Sequence, residues 1–89
     1  VGDPDPEVRT EAARALGRLG RADPAVVNAL MRALDDEHER VQILAARALG
    51  WLGPGASAAI PAVERQERSA GEKAAGEAQS ALDLMRPGL

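Results

Sequence analysis

Side chains that could do chemistry are few in this 89-residue chain, and they are scattered. The one imidazole, His38, sits in the acidic run Asp35-Asp36-Glu37-His38-Glu39. A closed transition-metal site needs three or four well-placed ligands, and one histidine on a short acidic turn does not supply them. The same run suits a helix N-terminus, where the macrodipole favours negative charge, and that is the reading adopted. Ser57, Ser69 and Ser80 have no base at a spacing that would build a nucleophile. The absence of Cys removes thiolate nucleophiles, thiolate metal sites and disulfides. Gly53-Pro54-Gly55 is a chain breaker, not a phosphate loop. No catalytic residue, metal or cofactor is therefore expected, and the chain reads as non-enzymatic.

What remains is the chemistry of recognition. Arg14, Arg18, Arg40 and Arg47 could form a basic patch. The competing reading is solvated arginines paired with carboxylates three or four residues away, as Glu11 is from Arg14. Trp51, the only aromatic residue, has the side chain most often found at binding hot spots. A role as an apolar pad between helices explains it as well.

These residues need elements to position them, and composition points to helices. Phe and Tyr are absent, and β-branched residues are scarce beside Ala, Leu, Arg and Glu. The net charge of −3, from 14 acidic and 11 basic residues, argues against a nucleic-acid partner. No apolar run approaches the roughly 20 residues of a membrane span, so no membrane partner is expected. With no signal peptide and no Cys, a cytoplasmic location is expected. The chain opens Val1-Gly2-Asp3-Pro4, without Met and in the manner of a loop, which suggests a segment of a longer protein.

The organising feature is a repeat. Val8–Gly20 and Val41–Gly53, 33 residues apart, are identical at 9 of 13 positions, too ordered for an effect of Ala-rich composition. A further step reaches Ala74–Arg86, where Ala78, Ala81, Leu82 and Met85 keep the apolar pattern without the glycines. Caps and breakers predict helices over Pro6–Leu19 (N-cap Asp5, C-cap Gly20), Pro24–Leu34 and from the Asp35–Glu39 turn to Leu52. Two more are predicted over Ser57–Glu67, with Ser57 as N-cap, and Glu72–Met85, stopped by Pro87-Gly88. The second helix sets Val27, Leu30, Met31 and Leu34 on one face.

The expected fold is all-α: a solenoid of helix pairs, about five helices in the order B, A–B, A–B, forming one domain. Its parts are a half repeat (1–20), a full repeat (21–53) and a C-terminal repeat (54–89). At about 100° per residue, Val8, Ala12, Ala15 and Leu19 form a stripe, as do Val41, Ala45, Ala48 and Leu52. Both are expected to pack on A helices. A flank carrying Glu11 and Arg18, then Leu44 and Trp51, then Glu77 and Leu84 is expected to face the preceding repeat. Its polarity in the first helix reads as a true edge, in tension with a mid-array segment.

The motif Asp-Pro-Glu-Val-Arg-x-x-Ala-Ala-x-Ala-Leu-Gly-x-Leu-Gly (Asp5–Gly20) resembles the HEAT-like repeat of the phycobilisome-lyase (PBS-lyase) type. Glu39–Gly53 repeats it, and Ala59-Ile60-Pro61-Ala62-Val63 resembles that family's A helix. The resemblance implies a stack with B helices lining a concave side. It also implies an inter-repeat Asp–Arg ladder, which Asp5 and Arg9 match and which Gln42 should interrupt. The His-Glu pairs of the HEAT-like di-iron hydroxylases are absent, since Thr10-Glu11 and Ile43-Leu44 stand at those positions.

The leading functional expectation is a scaffold module that binds a protein partner through the concave B-helix surface. Its candidate residues lie opposite the core stripes: Thr10, Arg14, Ile43, Ala46, Arg47, Gly50 and Ser80. The alternatives are a role related to bilin lyases or another enzyme-associated subunit, and a structural spacer. Self-association through the uncovered first helix is a further expectation.

Overall fold

The computed structural model describes residues 4–69 and 71–86, with side chains throughout except at 69 and 72–74. The first helix, α1 (Pro6–Leu19), starts where Asp5 Oδ1 accepts the Glu7 amide at 2.9 Å and Pro6 supplies a preset φ. It ends at Gly20, whose φ of 68° is the left-handed cap that favours glycine. α2 (Pro24–Leu34) follows a second Asp-Pro pair and buries Val27, Leu30 and Leu34, with Met31 half-buried.

α3 (Glu39–Leu52) starts two residues before Val41 of the repeated motif, with His38 at its N-cap and no side chain capping it; in the acidic turn just before it, Asp36 Oδ1 accepts the His38 amide at 2.9 Å. The break after Leu52 differs from expectation. Gly53–Ala59 forms a 3₁₀ segment before α4 (Ile60–Ser69), so Ser57 lies inside a helical turn instead of capping one. The small side chains permit this: Ala56 and Ala59 are fully buried, which lets the tight turn pass through the interior. α5 (Glu72–Met85) completes the described chain. Pro87-Gly88, read as its stop, lies outside the described residues.

Together α3, the 3₁₀ segment and α4 form a helical run, Glu39–Arg68, long and apolar enough by composition to cross a membrane. Gly53, at φ 67° and ψ −149°, breaks the run. Half of its most apolar window is buried among the other helices.

The helices form two layers. α1, α3 and α5 lie side by side, α2 packs on α3, and α4 packs on α5. The core runs between the layers through Leu30, Leu34, Val41, Leu49, Val63, Leu82 and Met85. α3 is covered by α2, α1 and α5, and eight of its fourteen residues are buried, which makes it the centre of the stack. The stripe Val41, Ala45 and Ala48 is buried as the periodicity predicts.

The matching stripe on α1 is not. Val8 is 46 % and Leu19 63 % exposed, Ala15 is exposed and Ala12 half-buried. Among the described residues no helix covers that face. The motif encodes an apolar stripe, and only a neighbouring helix turns it into core.

Candidate functional site

The residues expected to line an open surface divide sharply. Thr10, Ile43, Ala46 and Gly50 are buried, so they are not open to a partner. Arg14 is half-buried, and Arg47 and Ser80 are exposed. The face opposite the core stripe is in fact the seam between successive B helices. α1 buries Thr10, Ala13 and Gly17 against α3, and α3 buries Ile43, Ala46 and Gly50 against α5.

The glycines explain how close this seam is. A Cβ on Gly17 would lie 2.6 Å from both Ala48 Cβ and Trp51 Cε3. A Cβ on Gly50 would lie 3.1 Å from Ala81 Cα and 3.2 Å from Leu84 Cδ1. Ala81 and Leu84 stand 33 residues after Ala48 and Trp51, so the same contact is made twice in register. Thr10 can be buried because its hydroxyl donates to the Pro6 carbonyl at 2.8 Å within its own helix. On α5 the corresponding positions, Gly76, Gln79 and Asp83, are exposed, and Gln79 Nε2 donates to Asp83 at 3.3 Å.

Two rows remain open along the B helices. The first is Arg14, Arg47 and Ser80. Arg14 Nη1 lies 2.9 Å from Glu11, and Arg47 reaches across to Glu77 of α5 with contacts of 3.0 and 3.3 Å. Surface ion pairs of this kind contribute about 0–1 kcal/mol, so either guanidinium can exchange its partner for an incoming carboxylate at little cost.

The second row is Arg18, Trp51 and Leu84. Leu44 is buried against α1 as expected, but Trp51 is 44 % and Leu84 56 % exposed. Each lays one side over the glycine of the preceding helix and presents the other to solvent. Sequence reasoning placed both on the flank facing the preceding repeat, with a hot-spot role kept only as the alternative for Trp51. The signal that could have revealed them is the glycine beneath each: a residue without a side chain gives a large neighbour a floor but no walls.

The acidic turn has a different role from any metal site. Arg9 grips Asp36 with two hydrogen bonds, Nε to Oδ2 at 2.6 Å and Nη2 to Oδ1 at 3.1 Å. Both side chains are only about a tenth exposed, at 11 and 10 %. The Arg9 hydrogen bond holds the Asp36 carboxyl below the usual carboxylate range, against the upward effect of burial, and the His38 amide assists. Among the described residues no three His, Cys, Asp or Glu side chains are grouped to hold a metal ion.

The ladder also continues where an interruption was expected. Gln42 Nε2 donates to the Asp36 carbonyl, and Gln42 Oε1 accepts from Gln66 Nε2 of α4 at 2.9 Å. Asp36 is an acid that Arg9 bridges to across the repeats. An uncharged amide then carries the network onward, because an amide both donates and accepts.

The depression between the starts of α1 and α3, lined by Pro6, Thr10, His38 and Glu39, holds about 210 Å³. A second, between α2 and α4 beside Asn28, Arg32 and Arg65, holds about 270 Å³. Both fall below the roughly 300–1,000 Å³ of small-ligand pockets. The open rows therefore remain the best candidate for recognition, and they suit an extended surface.

A search of the curated proteins found no match. The family model described as HEAT repeats matches residues 1–83. That span takes in α1, α3 and all but the last two residues of α5: the chain belongs to the HEAT-repeat family.

Proposed function

We propose that this chain is a protein-interaction scaffold module that binds its partner along the open rows of the B helices. HEAT repeats generally mediate protein–protein interaction, and the family is typically non-catalytic. The observation that carries the choice of surface is the pair Trp51 and Leu84, half-exposed at matched positions of adjacent helices beside Arg47. Trp and Arg are the side chains enriched at binding hot spots, and Leu84 adds exposed apolar area beside them. Arg14 and Ser80 extend the surface to either side, and the buried Thr10, Ile43, Ala46 and Gly50 serve as its floor.

The proposed organisation is a half repeat (1–20), a repeat (21–53) and a C-terminal repeat (54–89) acting as one unit. The motif Asp5–Gly20 supports the finer assignment to the PBS-lyase type of HEAT repeat, and the scaffold reading does not depend on it.

The test uses the immobilised chain to capture partners from extract, beside two variants, Trp51→Ser and Arg14→Glu with Arg47→Glu. Circular dichroism confirms that each variant keeps its helicity. Capture falling about tenfold or more in both variants is expected, corresponding to the loss of about 1.4 kcal/mol or more. Equal capture by folded variants overturns the surface.

A further inference from the structure

The two open rows of the B helices carry charge of one sign. They hold Arg14, Arg47 and Ser80, and Arg18, Trp51 and Leu84: three arginines and no carboxylate, in a chain whose net charge is −3. Residues 12–22 include Arg14, Arg18 and Arg21 and no Asp or Glu, and residues 41–63 include Arg47 and no Asp or Glu. The pattern inverts over residues 74–85, which include Glu77 and Asp83 and no cation. The rows are thus cationic over α1 and α3 and not over α5. Trp51 has a B helix on either side, α1 and α5, and is still 44 % exposed. The rows are therefore open at an interior rung, whatever precedes α1 or follows α5. Glu11 and Glu77 answer Arg14 and Arg47. The Arg18 guanidinium, exposed in the last turn of α1, has no ion pair or hydrogen bond among the described residues.

We propose that the partner segment recognised here is an acidic peptide with an apolar anchor. Its carboxylates meet Arg14 and Arg18, and its apolar side chain, about three residues away, sits between Trp51 and Leu84. The proposal rests on the recognition surface proposed above and names the chemistry that surface takes. Packed helices lie about 8–10 Å apart, and the seam glycines hold the B helices towards the short end of that range. An extended chain advances about 3.3 Å per residue, so it crosses one helix in about three residues. A guanidinium grips a carboxylate through two parallel N–H donors, which fixes the acidic end over α1 and α3. A nucleic-acid strand fits less well: three cations release few counterions, and the chain's net negative charge opposes a phosphate backbone.

Trp51 is the only aromatic residue, so its emission reports its own coverage. The probe is a capped peptide with two glutamates and two leucines separated by two glycines, made in both directions. Its controls carry lysine for glutamate or serine for leucine, and a short oligothymidylate is tested beside them. In one direction the glutamate peptide should move Trp51 emission to shorter wavelength and saturate, about tenfold or more tighter than the lysine and serine controls. Its affinity should fall as salt is raised. Arg18→Glu, at an exposed and unpaired position, should weaken the glutamate peptide by about fivefold and strengthen the lysine peptide, with helicity unchanged.

No saturable shift, or an equal response to glutamate and lysine peptides, overturns the acidic chemistry. A tighter response to the oligothymidylate assigns the arginines to phosphate and overturns it as well. Failure here stays distinct from failure of the surface. Capture from extract that is lost in Trp51→Ser but undisturbed by excess glutamate peptide leaves the surface standing and overturns this class of partner.

Discussion

The first and second B helices carry nearly the same motif and meet opposite fates. Val8 is 46 % exposed and Val41 fully buried; Ala15 is exposed and Ala48 fully buried. The difference lies in the neighbours. α3 packs against α2, α1 and α5, with α1 meeting Ala48 of its stripe, whereas α1 has α3 and an edge of α2. In a stacked repeat the motif specifies which helix can pack, and position in the stack decides whether it does.

The comparison can be broken most severely at Leu49, which is fully buried. Leu49→Ala should cost about 3 kcal/mol, a large share of the roughly 5–13 kcal/mol expected of a domain this size. Its counterpart Leu16→Ala, at a half-buried site, should cost about 1 kcal/mol less, because less of its side chain is removed from water. Urea unfolding of both variants checks the pair, and equal losses would contradict the central position of α3.

The link between α1 and the rest comes next. Arg9→Ala should cost about 2 kcal/mol or more, because it leaves Asp36 nearly buried without its guanidinium. The same pair fixes a pH dependence. Asp36 has a folded pKa below its unfolded value, so its contribution is fully present above the usual carboxylate range, near pH 4. That contribution is lost as pH falls through the lowered folded value. Stability measured against pH should therefore decline more steeply below about pH 4 in the wild type than in Arg9→Ala. Parallel curves would show that the ion pair does not carry the link.

The seam distinguishes the two glycines more finely. Gly17→Ala should destabilise by about 1–2 kcal/mol, since its Cβ would overlap α3, including backbone, at 2.6–2.8 Å. Gly50→Ala meets contacts of 3.1–3.3 Å, and relief of the glycine penalty in a helix, about 1 kcal/mol, offsets most of the crowding. Thermal denaturation should rank Gly17→Ala well below Gly50→Ala. The smallest effect is expected at Val8→Ala, within about 0.5 kcal/mol at low protein concentration, against about 1–2 kcal/mol for Val41→Ala.

Much of this fold was legible in the chain because helix ends are local. Asp5-Pro6, Asp23-Pro24 and Gly20 each fix a boundary through residues a few positions apart. The 33-residue register likewise announced the stack. The surfaces were less legible, for two physical reasons. An amphipathic reading assigns each helix one buried face, whereas α3 is buried on three sides. Ala13, Ala46 and the two glycines are too small to declare a packing face by hydrophobicity, so their seam resembled an open strip. The partner of Arg9 was hidden for another reason. Asp36 is 27 residues away, and in the repeat register it corresponds to Asp3, not to Asp5.

The proposed binding surface is tested most directly by photo-crosslinking to the partner the chain captures. A photoreactive side chain is placed at Ser80 or Leu84 on the open B-helix side, or at exposed Asn28 of α2 on the opposite layer. The account predicts covalent adducts of the partner from Ser80 and Leu84 and none above background from Asn28. Adducts formed from Asn28, with none from Ser80 or Leu84, would contradict it.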